Sequence, residues 1–117
     1  MPILFSEHPP NADKAEAERV YEMYKKIAEK QPSCVAPVGL AWIAAIDQVG
    51  YDNFYSSDAN HAAAYGLMTT SLVLSEVITG EIVNIDMSEI TKTVPEDIQL
   101  KLAEIVSDTI IKNPPCS

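Results

Sequence analysis

The run Ser57-Asp58-Ala59-Asn60-His61 holds the residue types that acid–base chemistry needs. Asp58 and His61 stand three positions apart, a spacing that brings two side chains to one face of a helical turn. A carboxylate in that position accepts the Nδ1 proton of the imidazole and fixes its tautomer. Nε2 is then free to act as a general base, and the carboxylate stabilises the imidazolium formed when the ring takes a proton. The segment reads as a loop-to-helix junction, with Asp58 near the cap and His61 in the first turn, where the helix N-terminus disfavours a charged ring. His8, in Glu7-His8-Pro9-Pro10, follows a predicted strand. The C-terminal ends of strands in α/β sheets face the ligand crevice, which makes His8 a candidate substrate contact. Tyr51 and Tyr55 are two more, because aromatic rings in a loop suit sugar rings or acyl chains. Trp42 is assigned to the core. Asp52, Asp58, His61 and His8 match no metal-ligand spacing, so neither a metal nor a cofactor is expected.

The elements that must position these residues follow from hydrophobic spacing. Residues 3–6 are a short apolar run ended by Pro9-Pro10, which suits a buried strand and a turn. Asn11 or Asp13 then caps a helix in which Val20, Met23, Tyr24, Ile27 and Ala28 form the apolar face, with Glu18, Arg19, Glu22, Lys25 and Lys26 opposite. Cys34 to Val38 is β-branched and apolar enough for a second strand. From Gly39 to Ile46 the chain is apolar on nearly all sides and closes at Gly50, the pattern of a buried helix. Residues 50–59 mix aromatic and turn-forming types, as functional loops do. A third helix is predicted from about Asn60 to Ile78, with Gly80 as its stop. Thr93-Val94-Pro95-Glu96 has the form of a capping box, and Ile98, Leu102, Ile105 and Val106 continue a fourth helix to Lys112, before Pro114-Pro115.

Strand, helix, strand is a βαβ order, and the whole reads as one α/β domain over residues 1–117 with a short parallel sheet and about four helices. A parallel sheet of two or three strands leaves edges and faces open. Another copy of the chain, a different chain or a preceding segment is therefore expected to complete it.

The formal net charge of −9 repels phosphates and argues against nucleic-acid binding. Mean hydropathy is +0.01, and charged residues interrupt both long apolar runs, so a packed core without a membrane span is expected. Glu76, Glu81, Asp86, Glu89, Glu96 and Asp97 read as a solvated surface. The first residues lack the pattern of a secretory signal, which points to the cytoplasm, or to secretion if a longer parent carries a signal upstream. Cys34 and Cys116 show no metal or redox spacing; the pattern favours a buried Cys34 and a free thiol on a frayed tail, and leaves one bridge between the two open.

Ala36-Pro37-Val38-Gly39-Leu40-Ala41-Trp42, followed by Asp58-Ala59-Asn60-His61 and then Gly66, resembles the C-terminal part of the SGNH (GDSL-like) hydrolases. The resemblance implies a partial flavodoxin-like α/β/α sandwich and hydrolysis of an ester, often an acetyl or acyl group on a carbohydrate or lipid. It also implies that Asp58 and His61 are two members of a triad. The family's Gly-Asp-Ser nucleophile block and its oxyanion-hole Gly and Asn blocks have no counterpart in this chain, and Ala62-Ala63 stands where the family has Pro-Ser or a similar pair. The resulting expectation is a catalytically incomplete portion of an esterase. The alternative is a non-catalytic binding or assembly module, a homodimer derived from the same fold.

Overall fold

The computed structural model of the chain describes residues 1–81 and 93–116. Strand β1 spans Ile3–Phe5, a 3-10 turn Pro10–Ala12, helix α1 Lys14–Lys30 and strand β2 Cys34–Ala36. Helices α2, α3 and α4 span Val38–Val49, Ala64–Thr79 and Glu96–Lys112. Among the described residues the fold is mixed α/β, with four helices and a two-stranded parallel sheet. Asp86 and Glu89 of the acidic run lie outside the described residues, while Glu81, Glu96 and Asp97 are exposed.

Helix α1 is the crossover that lets β1 and β2 run in parallel, and it packs on both strands. Ile3 stands opposite Cys34, Leu4 opposite Val35 and Phe5 opposite Ala36. Asp13 caps α1 by accepting the Glu16 amide proton at 3.1 Å. Ala17 and Tyr21 are the buried residues of α1, whereas Met23 and Ile27 are 43% and 41% exposed. This corrects the predicted core face, which includes both. Strands sit about 5 Å apart, so a two-stranded sheet is too narrow to cover the whole apolar stripe of a helix.

Helix α2 is central: its apolar surface packs against α1, α3 and α4. Trp42, Phe54, Leu102, Val73 and Val106 are among the largest fully buried side chains. Gly39 is needed where α2 leaves the sheet. A Cβ at that position would lie 2.7 Å from the Glu7 carbonyl oxygen, and the Gly39 amide itself donates to the Ser6 carbonyl at 3.0 Å. Pro95 takes the N-cap position of α4, where no side-chain cap bond forms, so the helix starts at Glu96 rather than Pro95. Gln99 Nε2 donates to the Val94 carbonyl at 2.8 Å and ties the first turn of the helix to the segment before it.

The C-terminal tail departs most from the sequence pattern. Cys34 and Cys116 are joined in a disulfide, with 4.5 Å between their Cα atoms. Neither is a free thiol, and the tail is not frayed. Pro114-Pro115 ends the helical path and turns the chain back along the outer side of β2, where the Pro115 carbonyl accepts the Val35 amide proton at 2.9 Å. One edge of the sheet is thereby covered. The outer side of β1 has no strand partner among the described residues.

Candidate functional site

Residues 55–62 form a short finger above the C-terminal end of β1. Its base is an antiparallel bridge between Tyr55 and Ala62. Ser56 accepts the Ala59 amide proton at 3.0 Å and donates its own to the His61 carbonyl at 2.8 Å, which turns the tip. Ala59 closes the turn in the left-handed region, at φ 57°. Helix α3 begins only at Ala64, so His61 stands in this turn, not in a first helical turn from Asn60 as its spacing predicts. The reason is local: Asp58 spends its carboxylate on the turn and Ala59 leaves helical geometry.

Asp58 Oδ1 accepts from Ser56 Oγ at 2.8 Å and from the Asn60 and His61 amides at 2.9 Å each. Asp58 Oδ2 accepts the Nδ1 proton of His61. The bond from the His61 ring, then the two amides and the Ser56 hydroxyl, hold the Asp58 carboxyl well below the usual carboxylate range. The His61 side chain is 79% exposed and that of Asp58 47%. Nε2 of His61 has no hydrogen-bond partner among the described residues. The pair therefore has the geometry of an oriented base: a fixed carboxylate, a selected tautomer and a lone pair open to solvent. Ser56, which spacing alone does not single out, is recognisable afterwards as a hydroxyl two residues before the carboxylate.

The turn after β1 grips the finger from behind. The Asn11 amide donates to the Ala59 carbonyl at 2.8 Å, and His8 Nε2 lies 2.7 Å from the Asn60 carbonyl. Asn11 and Ala12 adopt φ of 47° and 55°, left-handed positions that bend the turn toward the finger. The Tyr55 hydroxyl donates to the Pro9 carbonyl and accepts the Ala12 amide proton, the latter at 3.0 Å. Tyr55 is 8% exposed, and burial pushes its phenol up, opposed by the Ala12 bond. Tyr51 stacks on Tyr55 with ring centroids 5.1 Å apart and donates to Asn11 Oδ1 at 3.0 Å; the residue is 39% exposed. Of the three candidate substrate contacts, Tyr51 is thus the one with an open ring, whereas His8 and Tyr55 are engaged within the protein.

Trp42 is the floor. Its indole lies 4.1 Å below the His8 ring at an 11° tilt, and Nε1 donates to Thr70 Oγ1 of α3 at 2.9 Å. Gly66 admits it: a Cβ there would come within 2.7 Å of the Phe54 carbonyl and closer still to the indole. The two sequence blocks around Trp42 and Gly66 are therefore one packing unit. Beside them a cleft of about 230 Å³ opens between Phe5, His8, Val38, Ala62 and Leu67. Among the described residues no group of three or more His, Cys, Asp and Glu side chains is placed to hold a metal ion, and no helix is long and apolar enough to cross a membrane. The chain matches no protein-family model, no curated protein and no solved structure.

Proposed function

We propose that this chain supplies the acid–base half of an SGNH-like ester hydrolase site, with Asp58 as the orienting acid and His61 as the general base. The Asp58–His61 pair carries the reading: Nδ1 is committed to a carboxylate that three other donors hold, and Nε2 is open. The β1–α1–β2 order and the packing of Trp42 against Gly66 support a partial flavodoxin-like α/β/α sandwich whose sheet continues beyond β1. In the reaction, Nε2 takes the proton of a serine hydroxyl as its oxygen attacks the ester carbonyl. Asp58 stabilises the imidazolium, and the ring returns the proton to the leaving alcohol. The serine and the oxyanion donors come from outside this chain, so the chain alone is catalytically incomplete. The substrate class is a small ester or an acylated carbohydrate or lipid, met by the exposed ring of Tyr51.

The test is hydrolysis of a p-nitrophenyl ester by the assembly that includes the serine-bearing part. His61→Ala abolishes turnover there; near-normal turnover in that variant overturns the assignment. Serine-esterase-like turnover by the 117-residue chain alone overturns the division of roles.

One observation favours a second reading, a non-catalytic assembly module that forms a homodimer. Ile3 and Phe5 on the unpaired side of β1 are 37% and 46% exposed, and an apolar strand edge is a template for pairing. Light scattering decides it: a dimer with no ester turnover in any assembly supports the module, and a 12.8 kDa monomer counts against it.

A further inference from the structure

The two amides that hold Asp58 belong to consecutive peptide planes, and each plane is gripped at its other end. In the Ala59–Asn60 peptide the N–H donates to Asp58 Oδ1 at 2.9 Å while the C=O accepts from the Asn11 amide at 2.8 Å. In the Asn60–His61 peptide the N–H donates to the same oxygen at 2.9 Å, and the C=O meets His8 Nε2 at 2.7 Å. A peptide unit is rigid, so fixing its carbonyl fixes the direction of its N–H. The first plane is held by backbone. The second is held by one side chain, fifty-two positions away in sequence.

From this geometry we infer that His8 is the positioning residue of the site: it donates from Nε2 to the Asn60 carbonyl and so aims the His61 amide at Asp58, which in turn sets the His61 ring. The inference rests on the reading of Asp58 and His61 as an acid–base pair. A carbonyl can only accept, so His8 must carry its proton on Nε2. Trp42 removes the remaining freedom of the ring by stacking beneath it, and the Thr70 bond keeps the indole from sliding. The resulting relay runs from His8 N–H through the Asn60–His61 peptide to Asp58, where it meets the bond that His61 Nδ1–H donates to the same carboxylate. The two bonds at either end of that peptide are in series and polarise one another in the same sense. Without the donor the second plane is free to rotate, and Asp58 loses the amide of the residue whose ring it orients.

The experiment is nitrogen-15 NMR on the intact chain and on two variants. Unmodified protein should show His8 as the Nε2–H tautomer, with a through-bond coupling to the Asn60 carbonyl. His8→Phe keeps a stacked ring but has no donor. It should raise hydrogen exchange of the Asn60 and His61 amides about tenfold and reduce the Nδ1–H population of the His61 ring. His8→Gln, which restores an N–H donor, should return both toward the original values; a merely structural His8 would not give that rescue. A His8 ring protonated only on Nδ1 in the unmodified protein overturns the inference, whatever the variants do. So does a folded His8→Phe with unchanged exchange and tautomer. None of these readouts involves ester turnover, so a failed hydrolysis assay with intact coupling refutes the esterase reading and leaves the positioning role standing.

Discussion

Two regions meet at the His8–Trp42 stack and are held by different forces. Above the buried Tyr55, the tip of the finger at residues 56–61 is largely exposed and is shaped by hydrogen bonds among backbone groups, Ser56 and Asp58. Directly beneath it, Trp42, Phe54 and Gly66 are buried and are placed by close packing, with no space for even a methyl group at Gly66. The packed region sets where the finger sits, and the polar region sets which proton it holds. Positions in the lower region should therefore change stability, while positions in the upper one should change protonation at little cost to the fold.

The sharpest break of that contrast is Trp42→Ala. Removing a fully buried indole leaves a cavity, and large-to-small aromatic changes cost about 3–5 kcal/mol. Denaturant melts should show that loss, and a cost under about 1 kcal/mol would mean that the block does not carry the finger. The disulfide comes next. Cys34 and Cys116 close a loop with a sequence separation of 82, for which chain entropy predicts stabilisation of about 4–5 kcal/mol, with measured cases averaging less. Cys116→Ala should lower the denaturation midpoint by more than any single change at the finger tip, residues 56–61, while leaving the Asp58 and His61 resonances in place.

Two smaller effects sharpen the other side. The Asp58 carboxyl lies below its usual range because donors in the folded finger favour its charge. Its contribution to the finger is therefore fully present above an unfolded value of about 3.9 and is lost only as pH falls through the lower folded value. The Asn60 and His61 amides should keep their native shifts at about pH 4 and lose them in stronger acid; a carboxyl-carbon midpoint near 3.9 would contradict the hydrogen-bond account. Ala59→Gly should be the mildest change. It relieves a left-handed alanine and should stabilise the chain by a few tenths to about 1 kcal/mol, read as a slightly higher melting temperature.

The sequence discloses these regions unequally. Asp13 as one of two cap candidates, α2 as a buried helix and the β1–α1–β2 order follow from local spacing, as does the pairing of Asp58 with His61 three positions on. The first turn of α3 misleads, because Asp58 is equally suited to cap a helix or its own turn, and a left-handed Ala59 gives no compositional warning. The Cys34–Cys116 bridge is hidden for another reason: it depends on the route Pro114-Pro115 gives the tail past β2. Met23 and Ile27 repeat at helical spacing, yet the width of the sheet decides whether they are covered. His8 shows the same limit most clearly, since its partner is a backbone carbonyl brought near by the fold.

Whether His61 is an oriented base is decided by the proton on its ring. Nitrogen-15 shifts of the neutral ring in the intact chain, compared with Asp58→Asn, report which nitrogen carries the proton. The proton is expected on Nδ1, directed at Asp58, with loss of that preference in Asp58→Asn and the fold intact. A ring protonated mainly on Nε2 in the intact chain would contradict it, because no lone pair would then face outward to accept a proton.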